Sequence, residues 1–155
     1  MAALDELRIL NREIGRSVSE QEMLGLAIHC SDSEVLVALA HVSNVVIDGS
    51  PMMAFPTPVG LLETRPDPVV LLSTKYLRIG LFGTRRGPLG LPEEILNRWS
   101  VGSITRIEKV GRRLYRLTTS PSSKIELKMS FRSTFKNRRG IAHLAAQLQE
   151  LVDPE

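Results

Sequence analysis

The chain of 155 residues has a single cysteine, Cys30, and only four Phe, two Tyr and one Trp. One thiol excludes an internal disulfide and any metal centre built on several cysteinates. Scarce aromatics require an aliphatic core of Leu, Val, Ile and Met. They also leave little to stack on bases, which argues against a nucleic-acid partner. No apolar run reaches the roughly 18 residues of a spanning helix. The stretch from Met1 to Arg16 is interrupted by Asp5, Glu6 and Glu13, where a secretory signal would be continuously apolar. These absences point to a cytoplasmic protein, peripheral if it meets a membrane at all.

Chemistry-bearing clusters are equally scarce. His29, His41 and His143 lack metal-ligand spacing. Cys30 lies beside His29 with Asp32 near, but adjacent side chains do not readily face each other, and the spacing matches no catalytic triad. Gly83-Thr84-Arg85-Arg86-Gly87 is glycine-flanked and basic, yet Pro88 and Gly90 follow where a phosphate cradle needs a helix N-terminus. We therefore expect no catalytic residue, no metal and no cofactor.

What the chain does have is charge sorted along its length. Residues 73–139 hold sixteen Lys and Arg against four Asp and Glu, a balance of +12. Residues 1–72 hold four against ten, and residues 140–155 none against three, giving −6 and −3 and the overall +3. A positive surface attracts an anionic partner or is simply well solvated.

The apolar periods place the elements. Leu4, Leu7, Leu10 and Ile14 mark one face of a helix. Ser19 with Glu22 three residues on is a capping box that opens a second helix, Glu20 to about Ile28. Val35 to Val42 and Val45 to Ile47 are strands, the latter ending in the tight turn Asp48-Gly49. Prolines 51, 56, 58, 66 and 68 exclude helix and central strand between them. Val69–Ser73 and Tyr76–Phe82 are strands; residues 83–98 are irregular, with a helical turn at Glu93–Leu96. Arg98–Val101 and Thr105–Val110 are strands. In the last hairpin Leu117 and Leu127 must share a face, so pairing them leaves Pro121-Ser122-Ser123 as the loop. Ile141, Leu144, Ala145, Leu148, Leu151 and Val152 form the stripe of a terminal helix, preceded by Arg138 and Arg139 at the end the helix dipole disfavours for cations.

Strands followed by a lone terminal helix suggest an antiparallel sheet or barrel with the helix over one opening. Three passages add a resemblance: Ser33-Glu34-Val35-Leu36, Val70-Leu71-Leu72-Ser73-Thr74, and Trp99 through Ile104 and Ile107 to Glu108. Over Glu34–Leu151 the chain resembles the bacterial pleckstrin-homology-like domains. That family often carries a basic residue three positions after the Thr; here Leu77 stands there and Arg78 follows. The resemblance implies an α+β, mainly β fold: an antiparallel barrel or sandwich with a C-terminal covering helix. Residues 1–30 would be a helical extension and 31–155 the domain. It also implies binding or assembly. Arg116, Lys124 and Lys128 lie on the hairpin face opposite Leu117 and Leu127. The candidate contact residues for an acidic protein or anionic lipid are Arg85, Arg86, Lys109, Arg112, Arg113, Arg116, Lys128, Arg138 and Arg139. The alternative is a self-assembling structural protein, a ring or other homo-oligomer joined through the N-terminal helix or strand edges.

Overall fold

A computed structural model describes residues 2–15, 18–51, 68–86, 92–120, 122–129 and 135–152; for residues 2, 51, 83–86, 92–95, 135 and 136 it describes the backbone alone. The described residues form two antiparallel sheets with three α-helices, an α+β, mainly β architecture. The first sheet has the order β1 (Leu36–His41), β4 (Val69–Ser73), β5 (Tyr76–Arg86), β6 (Pro92–Ser100). The second has the order β3 (Ser50–Pro51), β2 (Asn44–Ile47), β9 (Ser123–Lys128), β8 (Leu114–Thr119), β7 (Ile104–Lys109).

The chain passes from one sheet to the other at Val42 and Ser43. Each sheet takes one of the two amides at this corner: Val42 N–H donates to the Pro68 carbonyl (3.0 Å), and Ser43 N–H to the Lys128 carbonyl (2.9 Å). Asp48 and Gly49 then turn β2 back onto β3. Both hold positive φ, 50° and 84°, the pair of left-handed conformations that a two-residue hairpin with native twist requires.

Between the sheets lies an aliphatic core. Ala38, Val70, Leu72, Leu77 and Ile79 of the first sheet meet Val45, Leu117, Ile125 and Leu127 of the second, and α3 (Phe135–Val152) closes it with Ile141, Leu144 and Leu148. Leu117 and Leu127 are both buried, so the parity argument holds. The register is two residues away from the expected one: Leu117 pairs with Ile125, and Thr119 with Ser123. A shift of two keeps every side chain on its face, so alternation alone could not choose between the two registers.

The first sheet is covered on its other face as well. Helices α1 (Ala2–Glu13) and α2 (Glu20–Ala27) bury Leu4, Leu7, Met23 and Leu26 against Leu36, Leu39, Val69, Leu71 and Phe82. This double cover explains why β4 reads as an unbroken apolar run and is buried at all five positions. The α2 contact is close. A methyl added at Gly25 of α2 would lie 2.7 Å from the Phe82 ring, and one at Gly80 of β5 2.5 Å from it, so the ring fits only because both are glycine. The Ser19–Glu22 capping box forms as expected: Glu22 N–H donates to Ser19 Oγ (3.2 Å) and Ser19 N–H to Glu22 Oε1 (3.0 Å).

Three expectations are corrected. The Glu93–Leu96 segment is strand, not helical turn, because β6 runs from Pro92 and pairs with β5 across Leu81–Ile95 and Phe82–Glu94. Residues 83–86 likewise extend β5 instead of lying in an irregular stretch. Helix α3 begins at Phe135, so Arg138 and Arg139 stand inside it rather than ahead of it. Residues 52–67 and 87–91 lie outside the described residues.

Candidate functional site

Two charged arrangements stand out, one buried and one exposed. The buried one centres on Arg78, which is 1% exposed and lies on the sheet face that α1 and α2 cover. Its Nη1 donates to Glu34 Oε1 (2.6 Å), and its Nη2 to Glu34 Oε2 (2.8 Å) and to the His29 carbonyl (3.0 Å). Glu34 also accepts from Ser73 Oγ (2.6 Å), Ser31 N–H (2.9 Å) and Ser31 Oγ (3.0 Å). Arg78 and Arg98 both lie over the Tyr76 ring, 5.1 and 4.4 Å from its centroid. Burial by itself would raise the Glu34 carboxyl. The hydrogen bonds from Arg78, Ser31 and Ser73, with the Arg78 charge, outweigh it and hold the pKa at about 2. The Arg78 fork closes on Glu34, and both carboxylate oxygens are taken by donors of the protein, so the pair clamps the loop after α2 to β4 and β5 rather than presenting a charge.

The exposed arrangement is on the second sheet. Residues 104–129 carry seven cations (Arg106, Lys109, Arg112, Arg113, Arg116, Lys124, Lys128) and two carboxylates (Glu108, Glu126), a balance of +5. Register decides which cations remain in surplus. Glu126, Arg116 and Glu108 fall in one row across β9, β8 and β7. Arg116 reaches Glu126 at 3.5 Å and Arg106 reaches Glu108 at 3.3 Å, so both carboxylates are matched within the face. Arg116 thus stands half-buried beside Glu126. Lys128 pairs with Leu114, and the Arg113 carbonyl accepts from Met129 N–H (2.8 Å), so the β7–β8 tip and the end of β9 form one end of the sheet. Lys109, Arg112, Arg113 and Lys128 are exposed there, and Lys109 lies over the Tyr115 ring at 5.9 Å. Arg138 and Arg139 are exposed on a different element, α3. The side chains of Arg85 and Arg86 lie outside the described residues.

Cys30 is half-buried and its thiol donates to the Leu26 carbonyl (3.3 Å). Burial, with the Glu34 and Glu6 charges adding to it against Arg78, pushes the thiol pKa up, away from a nucleophilic thiolate. His41 is buried; its Nε2 meets Glu22 Oε1 at 3.3 Å and its Nδ1 finds no partner among the described residues. A recess of about 290 Å³ lined by Ala3, Glu6, Ser31, Asp32, Glu34 and Leu36 lies beside the ion pair. Its Glu6 accepts from Leu36 N–H (3.3 Å). Among the described residues no three His, Cys, Asp or Glu side chains gather as metal ligands, and no helix is long and apolar enough to cross a membrane.

No family model matches the chain, and no curated protein does. Solved structures give distant likenesses. The C-terminal domain of an unknown protein from Leishmania infantum has a TM-score of 0.37 at 12% identity, over 74% of this chain and 84% of that one. The hSac2 domain from human phosphoinositide phosphatase Sac2 has 0.45 at 16%, over 87% and 84%. The N-terminally truncated linker-DH/PH domains of p115-RhoGEF have 0.46 at 11%, over 98% of this chain and 39% of that one. At such values the likenesses assign no function.

Proposed function

We propose that this chain is a non-enzymatic, cytoplasmic binding module of pleckstrin-homology-like type whose basic β7–β8 end engages an anionic surface, an acidic protein or anionic lipid. One observation carries the reading: the second sheet matches its own two carboxylates with Arg106 and Arg116 and still exposes Lys109, Arg112, Arg113 and Lys128 together. Near an anionic membrane each such cation contributes about 1 kcal/mol. Four give about 4 kcal/mol, a dissociation constant on the order of 1 mM. A single domain would thus bind weakly and reversibly, and would need a second contact or high local concentration to hold.

The test is co-sedimentation with anionic and neutral vesicles, and retention on an immobilised acidic polypeptide, at low and raised salt. Binding to an anionic support that weakens with salt is expected, and Arg112→Glu with Arg113→Glu should lower it at least tenfold, on the order of 1 kcal/mol or more per charge. No retention by either support at low salt, or full retention after the reversal, would refute the proposal.

A further inference from the structure

Among the described residues five large apolar side chains are exposed, and their distribution is uneven. Ile9, Leu24, Ile28 and Val35 lie on the α1–α2 layer or the segment that leads from it to β1; Leu24 of α2 and its C-cap residue Ile28, 45% and 65% exposed, stand one turn apart. The fifth, Val110, is 42% exposed at the β7–β8 tip between Lys109 and Gly111-Arg112. Charge divides in the same direction. Residues 1–34 hold three cations and seven carboxylates, and the exposed ones described are Asp5, Glu13, Glu20 and Asp32 against Arg8 and Arg12, a balance of −2, where residues 104–129 sum to +5. Inside the helix layer Glu22 faces His41 and Glu34 faces Arg78, while Asp5, Glu13, Glu20 and Asp32 are exposed, Asp5 and Glu20 sharing Arg8.

The two surfaces therefore complement each other twice, in charge and in apolar contact. They belong to different sheets: the helix layer covers the outward face of the first, and the basic tip projects from an end of the second. We propose that the partner of the basic β7–β8 end is the α1–α2 layer of a second copy of this chain, with Val110 set against Leu24 and Ile28 and the surrounding cations against the exposed carboxylates of that layer. The proposal rests on the reading of the basic end as a binding surface and names its occupant. Because the two surfaces are different patches of one molecule, the contact is head-to-tail. It leaves one free surface of each kind on every dimer and so propagates instead of closing as a two-fold pair.

Half-blocked proteins test this. One carries Arg112→Glu and Arg113→Glu; the other carries Leu24→Lys and Ile28→Lys. All four sites are exposed, so neither variant removes core packing. Light scattering and sedimentation velocity would follow mass against concentration. The wild-type mass should climb past that of a dimer without a plateau and fall back as salt rises. Each variant alone should lose that growth, and an equimolar mixture should regain association, since each supplies the surface the other lacks. A wild-type protein that stays monomeric at low salt, or half-blocked proteins that fail to associate on mixing, would overturn the proposal. Monomers that still bind anionic vesicles would leave the basic-end reading standing and sink only the self-contact. Monomers that bind neither vesicles nor acidic polypeptide would sink both.

Discussion

Replacing Glu34 by Gln should destabilise the protein far more than an average substitution, and should do so in a pH-dependent way. Glu34 and Arg78 are 5% and 1% exposed, and Arg78 Nε already lacks a partner among the described residues. Removing the carboxylate charge leaves a buried guanidinium uncompensated. Breaking a buried pair from one side costs about 3–5 kcal/mol. At about 2–4 °C per kcal/mol for a domain near this size, the melting temperature should fall by roughly 6–20 °C. The pH dependence has a definite sign. The folded pKa of about 2 lies below the ordinary 4.5. A carboxyl depressed by folding contributes its stability fully above the unfolded value and loses it as pH falls through the folded one. The wild type should therefore lose about 3 kcal/mol between roughly pH 5 and pH 2 through this group, on the order of 1.4 kcal/mol per unit of pKa difference. Glu34→Gln should lack that component. Urea unfolding followed by circular dichroism at neutral pH and near pH 3 measures both quantities. A difference below about 0.5 kcal/mol at neutral pH, the range of ordinary surface changes, would refute the reasoning, as would a difference that does not shrink in acid. Replacing both partners together, Glu34→Leu with Arg78→Met, should cost much less than either single change, because the desolvated charge vanishes with its partner.

Two smaller effects follow from local geometry. Ser19→Ala removes the hydroxyl that caps α2 and should cost about 1 kcal/mol, a fall of about 2–4 °C in thermal melting; no change in melting would mean that α2 does not depend on its cap. Cys30, half-buried with its pKa pushed up, should react with a disulfide reagent at neutral pH more slowly than a free cysteine peptide and at the unfolded rate once denatured. Equal rates in the folded and unfolded protein would contradict the placement of the thiol.

Much of the secondary structure could be read from local pattern. The Ser19-x-x-Glu22 box, the Asp48-Gly49 turn and the 3.6-residue stripe of α3 are decided by neighbours within one or two turns. Such signals survive any tertiary context that buries the expected face. The hairpin of residues 114–128 could be read to within its parity but not its register, since Leu117 is equally content opposite Ile125 or Leu127. The strand at Pro92–Ser100 was hidden because Pro92 and Glu93-Glu94 carry no strand pattern of their own; β5 supplies the ladder that makes them one.

The site was half legible. That the second sheet is basic follows from the order of residues, because alternation alone turns Lys124 and Lys128 outward. Which cations stay in surplus does not, since Arg116 and Arg106 are matched to carboxylates by cross-strand register and side-chain reach. Arg78 was missed altogether. Alternation against Leu77 and Ile79 places it on the face that a one-sided sheet would turn to water. The unbroken apolar run Val69–Leu72 was the signal that this face is covered too, so an arginine on the neighbouring strand needs a carboxylate. The sequence by itself determined the apolar stripes, the turn, the cap and the sorting of charge, all of which rest on spacing along the chain. Only the tertiary structure decided that a helix layer seals the outer face of the first sheet, that Glu34 meets Arg78 across 44 positions of chain, and that Arg116 meets Glu126 across the hairpin. Those outcomes depend on which distant surfaces exclude water together, and no local period encodes that.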